Sequence, residues 1–336
     1  MFVPPGLMPL PPRPQNGSMW GTPNGRRSLS RANSRRTPAV AAVAGFFGRD
    51  LGECMARVER TVKRARAKGA ELVVFPESAL GGYLFETKLP AARPPVAPPP
   101  TLDPYGEEFA RLAHAAGPTV VCVGYTEAAP DGLYSSAVCL SGDGVLGHHR
   151  KVHLPPGERA SFSAGKEFAA FDTPLGRMGM LICYDKVFPE AARALALDGA
   201  GIVASLSAWP ACRTQPASWT RRDREVRHFN LLDQARALEN QVVWVSANQS
   251  GRLGSLRFPG HAKVVDPDGR VLATTGSRPG LALARVDTVG AVDAARSEFS
   301  HLADRCPPAY GPPLADRCPP AYGPPLAAGF PAATGI

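Results

Sequence analysis

Three polar residues each follow an apolar segment of strand length, and their side chains could together perform nucleophilic catalysis. Glu77 follows the run that ends at Phe75, and Lys151 follows the run that ends at Arg150. Cys183 follows a third run, which ends at Ile182. In open α/β sheets, ligands and reacting groups collect beyond the carboxyl ends of the strands. We therefore expect the three side chains to meet at one edge of a sheet.

The residue types suit thiol chemistry at a carbonyl carbon. A cysteine thiol is mostly protonated at neutral pH, so a nucleophilic cysteine needs a base or a positive neighbour. Glu77 can supply the base and Lys151 the positive charge. Cys183 also precedes a predicted helix, whose N-terminus favours a thiolate. After attack, the Lys151 ammonium and a backbone N–H near Tyr184 are available to bind the oxyanion, and no histidine is required.

Five segments of the chain, in this order, resemble the nitrilase superfamily of carbon–nitrogen hydrolases. The resemblance extends from about Ala39 to about Tyr310. The segments are FPE…GY at Phe75–Tyr83, RKxHL at Arg150–Leu154, CYDxxFPExxR at Cys183–Arg193, RAxEN at Arg236–Asn240 and DRxPxxY at Asp304–Tyr310. The resemblance implies an α/β fold, a four-layer αββα sandwich, that assembles as a homodimer or higher homo-oligomer.

The resemblance also implies roles for individual residues. Glu77, Lys151 and Cys183 correspond to the catalytic Glu-Lys-Cys triad of the family. Glu158 corresponds to a second glutamate that positions the lysine or the substrate, although a surface-loop residue is the alternative interpretation. Substrate-binding positions are implied at Tyr83, Tyr184 and Trp209, and a place in the core is the alternative for Tyr83 and Trp209.

The segment at the nucleophile indicates the substrate class. Nitrile-cleaving members usually carry Cys-Trp-Glu, whereas this chain has Cys183-Tyr184-Asp185, which is similar to the amidase branches. The resemblance therefore implies an enzyme that hydrolyses a small linear amide to a carboxylate and ammonia through a cysteine thioester. N-carbamoyl amines and nitriles remain alternative substrates. A hypothesis of another class is a catalytically silent module that binds a nucleic acid, a membrane surface or a partner domain; the intact triad argues against it.

Two histidines near the lysine have the spacing of a metal-binding pair. His149 and His153 are four residues apart, but Leu154-Pro155-Pro156 follows at once and no third ligand is in view. We therefore expect no metal and no cofactor. Asp185 and Arg193 are expected to orient the loop after the nucleophile.

Hydrophobic periodicity predicts the elements that position these residues. Helices are expected at Leu51–Lys68, Gly106–Ala115, Pro189–Leu197 and Ser218–Asn240, the last with the charges of Thr220–His228 on a solvated face. Strands are expected at Ala39–Gly45, Leu72–Phe75, Thr119–Tyr125, Tyr134–Leu140, Val145–His149, Met178–Ile182, Ile202–Leu206, Val242–Ala247, Ala262–Asp266, Val271–Ala273 and Leu281–Val286. So many strands with few helices predict a layered α/β domain.

The ends of the chain differ from its middle in composition. Residues 1–37 hold six arginines and no acidic residue, so they carry most of the formal charge of +9, and we expect a disordered basic tail. Residues 38–301 are expected to form the hydrolase domain. Residues 302–336 form a Pro-rich extension in which LADRCPPAYGPP occurs twice in tandem, at Leu302–Pro313 and Leu314–Pro325. Because the middle is nearly balanced in charge, no nucleic-acid partner is expected.

Composition indicates a globular protein. Hydrophobic residues make up 44% and charged residues 20% of the chain, and no apolar run is long enough for a transmembrane helix, so no membrane partner is expected. The seven cysteines are an odd number without a CxxC pair. A disulfide scaffold or zinc ribbon is therefore disfavoured, and a reduced cytoplasmic location is expected.

Overall fold

The computed structural model describes residues 37–84, 98–215 and 217–310. The predicted basic tail lies almost wholly outside these residues, and so does the second copy of the duplicated segment. The helices are α1 (Leu51–Ala67), α2 (Glu107–Ala116), α3 (Pro189–Leu197), α4 (Arg224–Asn240) and α5 (Gly290–Glu298), with short 3-10 helices at Cys183–Val187, Thr220–Arg222 and Pro307–Tyr310. The first seven strands are β1 (Ala39–Gly45), β2 (Ala70–Val74), β3 (Thr101–Leu102), β4 (Val120–Ala129), β5 (Gly132–Ser141), β6 (Gly144–Arg150) and β7 (Phe171–Thr173). The next seven are β8 (Gly176–Ile182), β9 (Ile202–Ser207), β10 (Val243–Leu253), β11 (Leu256–Pro259), β12 (Lys263–Val265), β13 (Val271–Thr274) and β14 (Gly280–Arg285).

The main sheet has the strand order β6-β5-β4-β2-β1-β10-β9-β8-β7. Its centre is parallel, from β4 through β2, β1, β10 and β9 to β8. Antiparallel hairpins close both ends, with β5 and β6 at one end and β7 at the other. The sheet folds over, so that β4 lies against β9 and β5 lies against β8. Its two halves therefore face each other and bury one surface between them.

Three groups of buried side chains define the layers. Val74, Ile182, Leu206 and Val245 belong to the group between the facing halves of the sheet. A second group joins α1 and α2 to the outer surface of one half, and a third joins α3 and α4 to the outer surface of the other half. The order is therefore helix, sheet, sheet, helix, which confirms the predicted four-layer αββα sandwich.

Helix α1 shows how local sequence produces an element of this sandwich. Its apolar positions Met55, Val58, Val62 and Ala65 are buried, as the 3.6-residue period predicts. The side chain of Asp50 accepts a hydrogen bond of 2.8 Å from the backbone N–H of Glu53, which caps the helix N-terminus. The prediction of this helix is confirmed to within one residue.

The long predicted helix over Ser218–Asn240 is wrong at its N-terminal end. The α-helix begins at Arg224, and a short 3-10 helix precedes it. The buried carboxylate of Asp223 accepts hydrogen bonds from the backbone N–H groups of Glu225 and Val226, which fixes the start. The charged stretch Thr220–His228 is therefore not wholly solvated, because one of its acidic residues is a buried cap.

Strands β3, β7 and β11 and helix α5 were not predicted from the sequence. The three strands have two to four residues, too few to show a period of two. Helix α5 buries only Val292, so its apolar pattern is weak. In the first copy of the duplicated segment, Leu302 packs against the layer of α3 and α4.

The described cysteines carry free thiols, and all of them except Cys306 are buried. Within the described part of the chain, no helix is long and apolar enough to cross a membrane.

Candidate active site

The structure places the three predicted residues where three strands end. Glu77 lies three residues after β2, Lys151 directly after β6 and Cys183 directly after β8. The backbone turns sharply at two of these points, since Ser78 and Cys183 have φ angles of 53° and 48°. Non-glycine residues rarely adopt this left-handed conformation, and it occurs often where a reacting side chain must be held in a fixed direction.

Glu77, Lys151 and Glu158 form a buried group that we call the carboxylate cluster. The Lys151 ammonium donates to Glu77 Oε1 at 2.7 Å and to the two carboxylate oxygens of Glu158 at 2.8 and 2.9 Å. None of the three side chains is more than 2% exposed. A buried lysine is stable as an ion only when opposite charges and hydrogen bonds replace water, and here two carboxylates do so. Glu158 therefore points inward to the cluster, although its loop neighbours Gly157 and Arg159 are exposed.

The pKa of Lys151 reflects this balance. Burial alone lowers it, but the charges of Glu158 and Glu77 outweigh burial and hold the pKa above its ordinary value. Lys151 is consequently an ammonium at neutral pH, a donor and not a base.

Backbone and side-chain donors also fix Glu77. Its Oε2 accepts a hydrogen bond of 2.8 Å from the backbone N–H of Ala208, just after β9. The hydroxyl of Ser135 donates to its Oε1 at 3.3 Å, and Gln249 Nε2 donates to its carbonyl oxygen at 3.1 Å. Ser135 of β5 and Ala208 after β9 thus hold the carboxylate, and Gln249 of β10 holds the backbone of the same residue, which explains how the folded sheet orients Glu77.

Cys183 is buried, and opposing influences act on the pKa of its thiol. Burial raises its pKa well above the ordinary value, and the charge of Glu77 raises it further. Lys151 and a backbone hydrogen bond from Ala208 act in the opposite direction but do not prevail. Lys151 therefore favours the thiolate, as the sequence predicts, but burial and the two carboxylates outweigh it. The arrangement instead places a neutral thiol beside a carboxylate that can accept its proton.

Asp185 braces the segment that bears the cysteine. It accepts hydrogen bonds from the backbone N–H groups of Ile182 at 3.1 Å and His153 at 2.8 Å. The imidazoles of His149 and His153 lie 3.3 and 3.0 Å from its carboxylate oxygens. The two histidines therefore share a carboxylate, and the described residues contain no group of three or more His, Cys, Asp or Glu side chains suited to a metal ion.

The arginine of the RAxEN segment, to which the sequence assigned no role, holds the end of the segment that bears the cysteine. Arg236 donates to the carbonyl oxygens of Lys186 at 2.9 Å and Val187 at 2.8 Å. Arg193 was expected to orient this loop, but its guanidinium donates to the carbonyl oxygen of Glu239 on α4. Since α3 and α4 pack together, Arg193 ties the two helices and Arg236 ties α4 to the loop.

The predicted substrate-binding aromatics have different environments. The hydroxyl of Tyr83 donates to Glu158 Oε1 at 2.5 Å, which connects this ring to the carboxylate cluster. Trp209 is buried in the apolar group that includes Cys183, and its indole N–H has no hydrogen-bond partner among the described residues. The Tyr184 ring is half-buried and packs edge-on against Phe188. Tyr83 and Trp209 thus lie beside the cluster and the cysteine.

Lys186, Asp233 and Lys263 form a second buried group, which we call the lysine cluster. Lys186 donates to Asp233 Oδ1 at 2.6 Å, and Lys263 donates to Asp233 Oδ2. Both ammonium groups lie about 4 Å from the centre of the Phe229 ring. Lys186 is three residues from Cys183, and the charges of Cys183 and Glu77 act on it. Sequence reasoning missed this cluster, because its three charged residues lie on three separate elements and no motif connects them.

Comparison with known proteins identifies the family of this chain. The model of the carbon-nitrogen hydrolase family matches residues 39–296. A probable nitrilase of Schizosaccharomyces pombe is 34% identical over 180 residues, which cover 53% of this chain and 62% of that protein, less than two thirds of its length. The (R)-stereoselective amidase of Pseudomonas sp. is 32% identical over 263 residues, which cover 77% of this chain and 88% of the amidase. A crystal structure of an amidase from Nesterenkonia sp. has the same fold, with a TM-score of 0.65 and 24% identity over 84% of this chain and 98% of that one. The chain therefore belongs to the carbon-nitrogen hydrolase family.

Proposed function

We propose that this enzyme hydrolyses the C–N bond of a small linear amide to a carboxylate and ammonia, through a thioester on Cys183. The observation that carries the proposal is the carboxylate cluster, in which one ammonium joins two carboxylates and all three charges act on the Cys183 thiol. The family membership and a relative named an amidase support the same reaction class.

In the first step Glu77 acts as general base. It accepts the thiol proton while Cys183 Sγ forms a bond to the amide carbon. Because the thiol is neutral and buried, its proton has to leave as the bond forms, and a fixed carboxylate is a suitable acceptor. Glu77 needs no histidine partner, since Ala208 and Lys151 already orient it.

The oxyanion of the tetrahedral intermediate is bound by the Lys151 ammonium and by the backbone N–H of Tyr184. A charged Lys151 suits this task, because it is fixed before the negative charge develops. A preorganised donor of this kind contributes about 3–4 kcal/mol to the stability of the transition state. Glu158 is a positioning residue, since it holds the lysine with both carboxylate oxygens.

The second half of the reaction reuses the same groups. Glu77 gives its proton to the amide nitrogen, the C–N bond breaks and ammonia leaves. A water molecule then attacks the thioester and transfers a proton to Glu77, and that proton passes to Cys183 Sγ as the carboxylate product departs. These steps use side chains, backbone groups and water only, so no cofactor is required.

The pocket wall is assigned to Tyr83, Tyr184 and Trp209. The Tyr83 hydroxyl is held by Glu158, and burial together with the charge of Glu158 raises its pKa well above the ordinary value, so it remains a donor. N-carbamoyl amines and nitriles are the alternative substrates, but the sequence Cys183-Tyr184-Asp185 supports the amide. Two further expectations stay predictions. The first is assembly as a homodimer or higher oligomer, which size-exclusion chromatography with light scattering checks. The second is a cytoplasmic location.

The test is ammonia release from short aliphatic amides, ω-amino-amides, N-carbamoyl compounds and nitriles. The wild type should hydrolyse one class, and Cys183→Ala should hydrolyse none. Cys122→Ala is the matched control, since Cys122 is also fully buried but lies within strand β4. Mass spectrometry of the protein quenched during turnover should detect the acyl group on Cys183. Turnover by Cys183→Ala equal to that of the wild type would refute the thioester mechanism.

A further inference from the structure

A buried carboxylate that no reaction step uses lies on the sheet half that bears Lys151. It belongs to Glu127 of β4, which is 3% exposed. Ser136 Oγ of β5 donates to its Oε2 at 2.6 Å, and Arg150 Nε of β6 donates to the same oxygen at 3.1 Å. Arg150 Nη2 also donates to its Oε1, so the guanidinium contacts both carboxylate oxygens. One side chain of β4 therefore connects three neighbouring strands.

The strand register places this carboxylate on the face opposite to the active site. Ser136 and Arg150 are paired across β5 and β6, and both bond to Glu127, so the three side chains share one face. Successive side chains of a strand point to opposite faces. Ser135 and Lys151, each one residue away, accordingly reach the carboxylate of the general base, at 3.3 and 2.7 Å. The Glu127–Arg150 pair thus lies directly behind the residues that form the site.

The pair is charged and its direction is restricted. Burial raises the pKa of Glu127, but hydrogen bonds from His148, Arg150 and Ser136 outweigh burial and lower this pKa to about 2. A guanidinium keeps its proton in proteins, so both partners are ions at neutral pH. The guanidinium also lies 4.0 Å from the centre of the Tyr134 ring, which limits the directions that it can take.

Lys151 begins at the end of an edge strand. Strand β6 stands at the end of the strand order, and its pairing with β5 ends at Arg150. Strand ends open most readily where one side of the backbone has no neighbouring strand. An oxyanion donor has to be fixed before the negative charge develops, so such opening would reduce its effect. The ion pair with Glu127 counteracts the opening, since it ties the last residue of β6 to β4 across β5.

Close backbone packing connects Arg150 with Lys151. The N–H of Lys151 donates to the carbonyl oxygen of Ser135 at 2.8 Å, and the N–H of Gly165 donates to the carbonyl oxygen of Lys151 at 2.8 Å. The chain at Gly165 passes so near that a Cβ there would lie 2.1 Å from the carbonyl oxygen of Arg150. The backbone of residues 150 and 151 therefore has little free space, and a displaced Arg150 displaces Lys151 with it.

We propose that the Glu127–Arg150 pair positions Lys151 for catalysis, because it fixes the strand end from which the ammonium reaches the oxyanion. This inference rests on the proposed role of Lys151 as an oxyanion donor. Glu127 and Arg150 are positioning residues, since they act through Lys151. Removing the pair should lower kcat and leave KM nearly unchanged, because a misplaced donor weakens binding of the transition state and not of the substrate. A displacement of about 1 Å is enough for a loss of about a hundredfold.

The test measures kcat and KM for the short aliphatic amides, and the urea midpoint of unfolding, in Arg150→Gln. The value of kcat should fall about tenfold to hundredfold, with less than about a threefold change in KM. Arg150→Lys keeps the charge without the two-pronged contact and should recover part of kcat. Arg111→Gln is the matched control, since Arg111 of α2 donates to both carboxylate oxygens of Glu59 on α1, at 2.6 and 2.9 Å. It should keep the wild-type kcat.

The double variant Glu127→Leu/Arg150→Met separates positioning from stability. It leaves no buried carboxylate without a counter-ion, so the urea midpoint should return towards that of the wild type. Its kcat should stay low, because the side-chain tie between β6 and β4 is still missing. Recovery of kcat together with the urea midpoint would mean that the pair only stabilises the fold, and the inference would be wrong.

Crystal structures of the wild type and of Arg150→Gln distinguish failure of this inference from failure of the proposed function. In Arg150→Gln, Lys151 Nζ should move by about 1 Å from its 2.7 Å contact with Glu77 Oε1. That movement in an enzyme that hydrolyses no amide would refute amide hydrolysis and still support the positioning of Lys151. An unmoved Lys151 would overturn the inference with or without amide turnover, and so would an amidase whose kcat in Arg150→Gln equals that in Arg111→Gln.

Discussion

The carboxylate cluster and the lysine cluster have opposite charge compositions. The first has one ammonium, Lys151, between Glu77 and Glu158. The second has one carboxylate, Asp233, between Lys186 and Lys263. Both are buried, and both are adjacent in sequence or in space to Cys183. They differ in the number of counter-charges available to each lysine.

This difference decides the direction in which the pKa of each lysine is shifted. Two carboxylates overcome the burial of Lys151 and hold its pKa above the ordinary value. The single carboxylate of Asp233 does not compensate for two buried ammonium groups, so burial lowers the pKa of Lys186 and lowers that of Lys263 to about 8. The direction of a buried lysine's pKa shift thus depends on the balance between desolvation and the counter-charges beside it. We infer that the first cluster serves catalysis and that the second serves the stability of the segment around Cys183.

The largest expected effect follows from removing the ammonium between two carboxylates. Lys151→Met should reduce kcat by on the order of 10²–10³-fold, because the oxyanion loses a preorganised donor. It should also destabilise the fold by about 3–5 kcal/mol, since two buried carboxylates lose their partner. Ammonia release and urea unfolding measure the two effects.

The double variant Lys151→Met/Glu158→Gln sharpens this test. It removes one of the orphaned charges and should recover part of the stability without recovering activity. Lys63→Met, which changes an exposed lysine on α1, is the control. An active Lys151→Met enzyme would show that the carboxylate cluster is structural, as we infer for the lysine cluster.

Asp233→Asn makes the corresponding change in the lysine cluster. Two buried ammonium groups then lack a counter-ion, and the fold should lose about 3–5 kcal/mol of stability. In contrast to Lys151→Met, kcat should change by less than about tenfold at a temperature where the variant is folded, a difference of about 1.4 kcal/mol in the barrier.

Asp172→Asn is the control for Asp233→Asn. Its side chain is 86% exposed, so the loss of its ion pair with Arg177 should cost little. A large loss of kcat in folded Asp233→Asn would contradict the separation of the two clusters into a catalytic and a structural one.

The sequence predicts the first cluster well and the second not at all. Glu77 and Lys151 of this cluster, like Cys183 beside it, each follow an apolar strand, so the folding of the strands to one edge is enough to bring them together. Glu158 lies in a loop, and only the resemblance pointed to it. Asp233 lies on a helix, and its partner Lys186 is 47 residues away. Neither a period nor a motif in one sequence connects such positions, because a lone charge in an apolar segment has the same pattern whether it is exposed or paired.

Helix boundaries show the same limit of prediction from one sequence. The prediction of α3 at Pro189–Leu197 matches the structure, since proline at the first helical position marks the start. The start of α4 was placed too early; of the residues before Asp223, only Arg221 and Arg222 have good helix propensity. Only the burial of the Asp223 carboxylate against Cys212 and the first turn identifies it as the cap.

A smaller effect is expected at this cap, and it tests whether burial of a capping carboxylate adds to the stability it gives a helix. Asp223→Ala should cost about 1–2 kcal/mol, since the N-terminal N–H groups of α4 and the N–H of Cys212 lose their acceptor. Asp50→Ala is the matched cap on α1, over the other half of the sheet, and should cost about 1 kcal/mol or less because Asp50 is exposed. Urea unfolding of both variants provides the comparison, and equal losses would show that burial of the cap adds nothing.

The smallest and most discriminating effect concerns the second lysine of the pair. Lys263→Met leaves Lys186 and Asp233 as a balanced pair, so its stability at pH 7 should lie within about 1 kcal/mol of the wild type or above it. The pKa of Lys263 is lowered to about 8 in the folded protein, from an ordinary value of 10.5. Between these values the unfolded chain binds more protons than the folded one, so wild-type stability should gain a contribution as the pH rises.

That contribution should be missing from Lys263→Met and present in Lys68→Met, which changes an exposed lysine. Urea unfolding at pH 7 and pH 9.5 measures it as the difference between the two variants, and groups that titrate elsewhere in the protein cancel. Parallel curves for Lys263→Met and the wild type would mean that Lys263 keeps its charge throughout this range. One carboxylate would then suffice for two buried ammonium groups, and the contrast between the two clusters would lie in their positions and not in their charge balance.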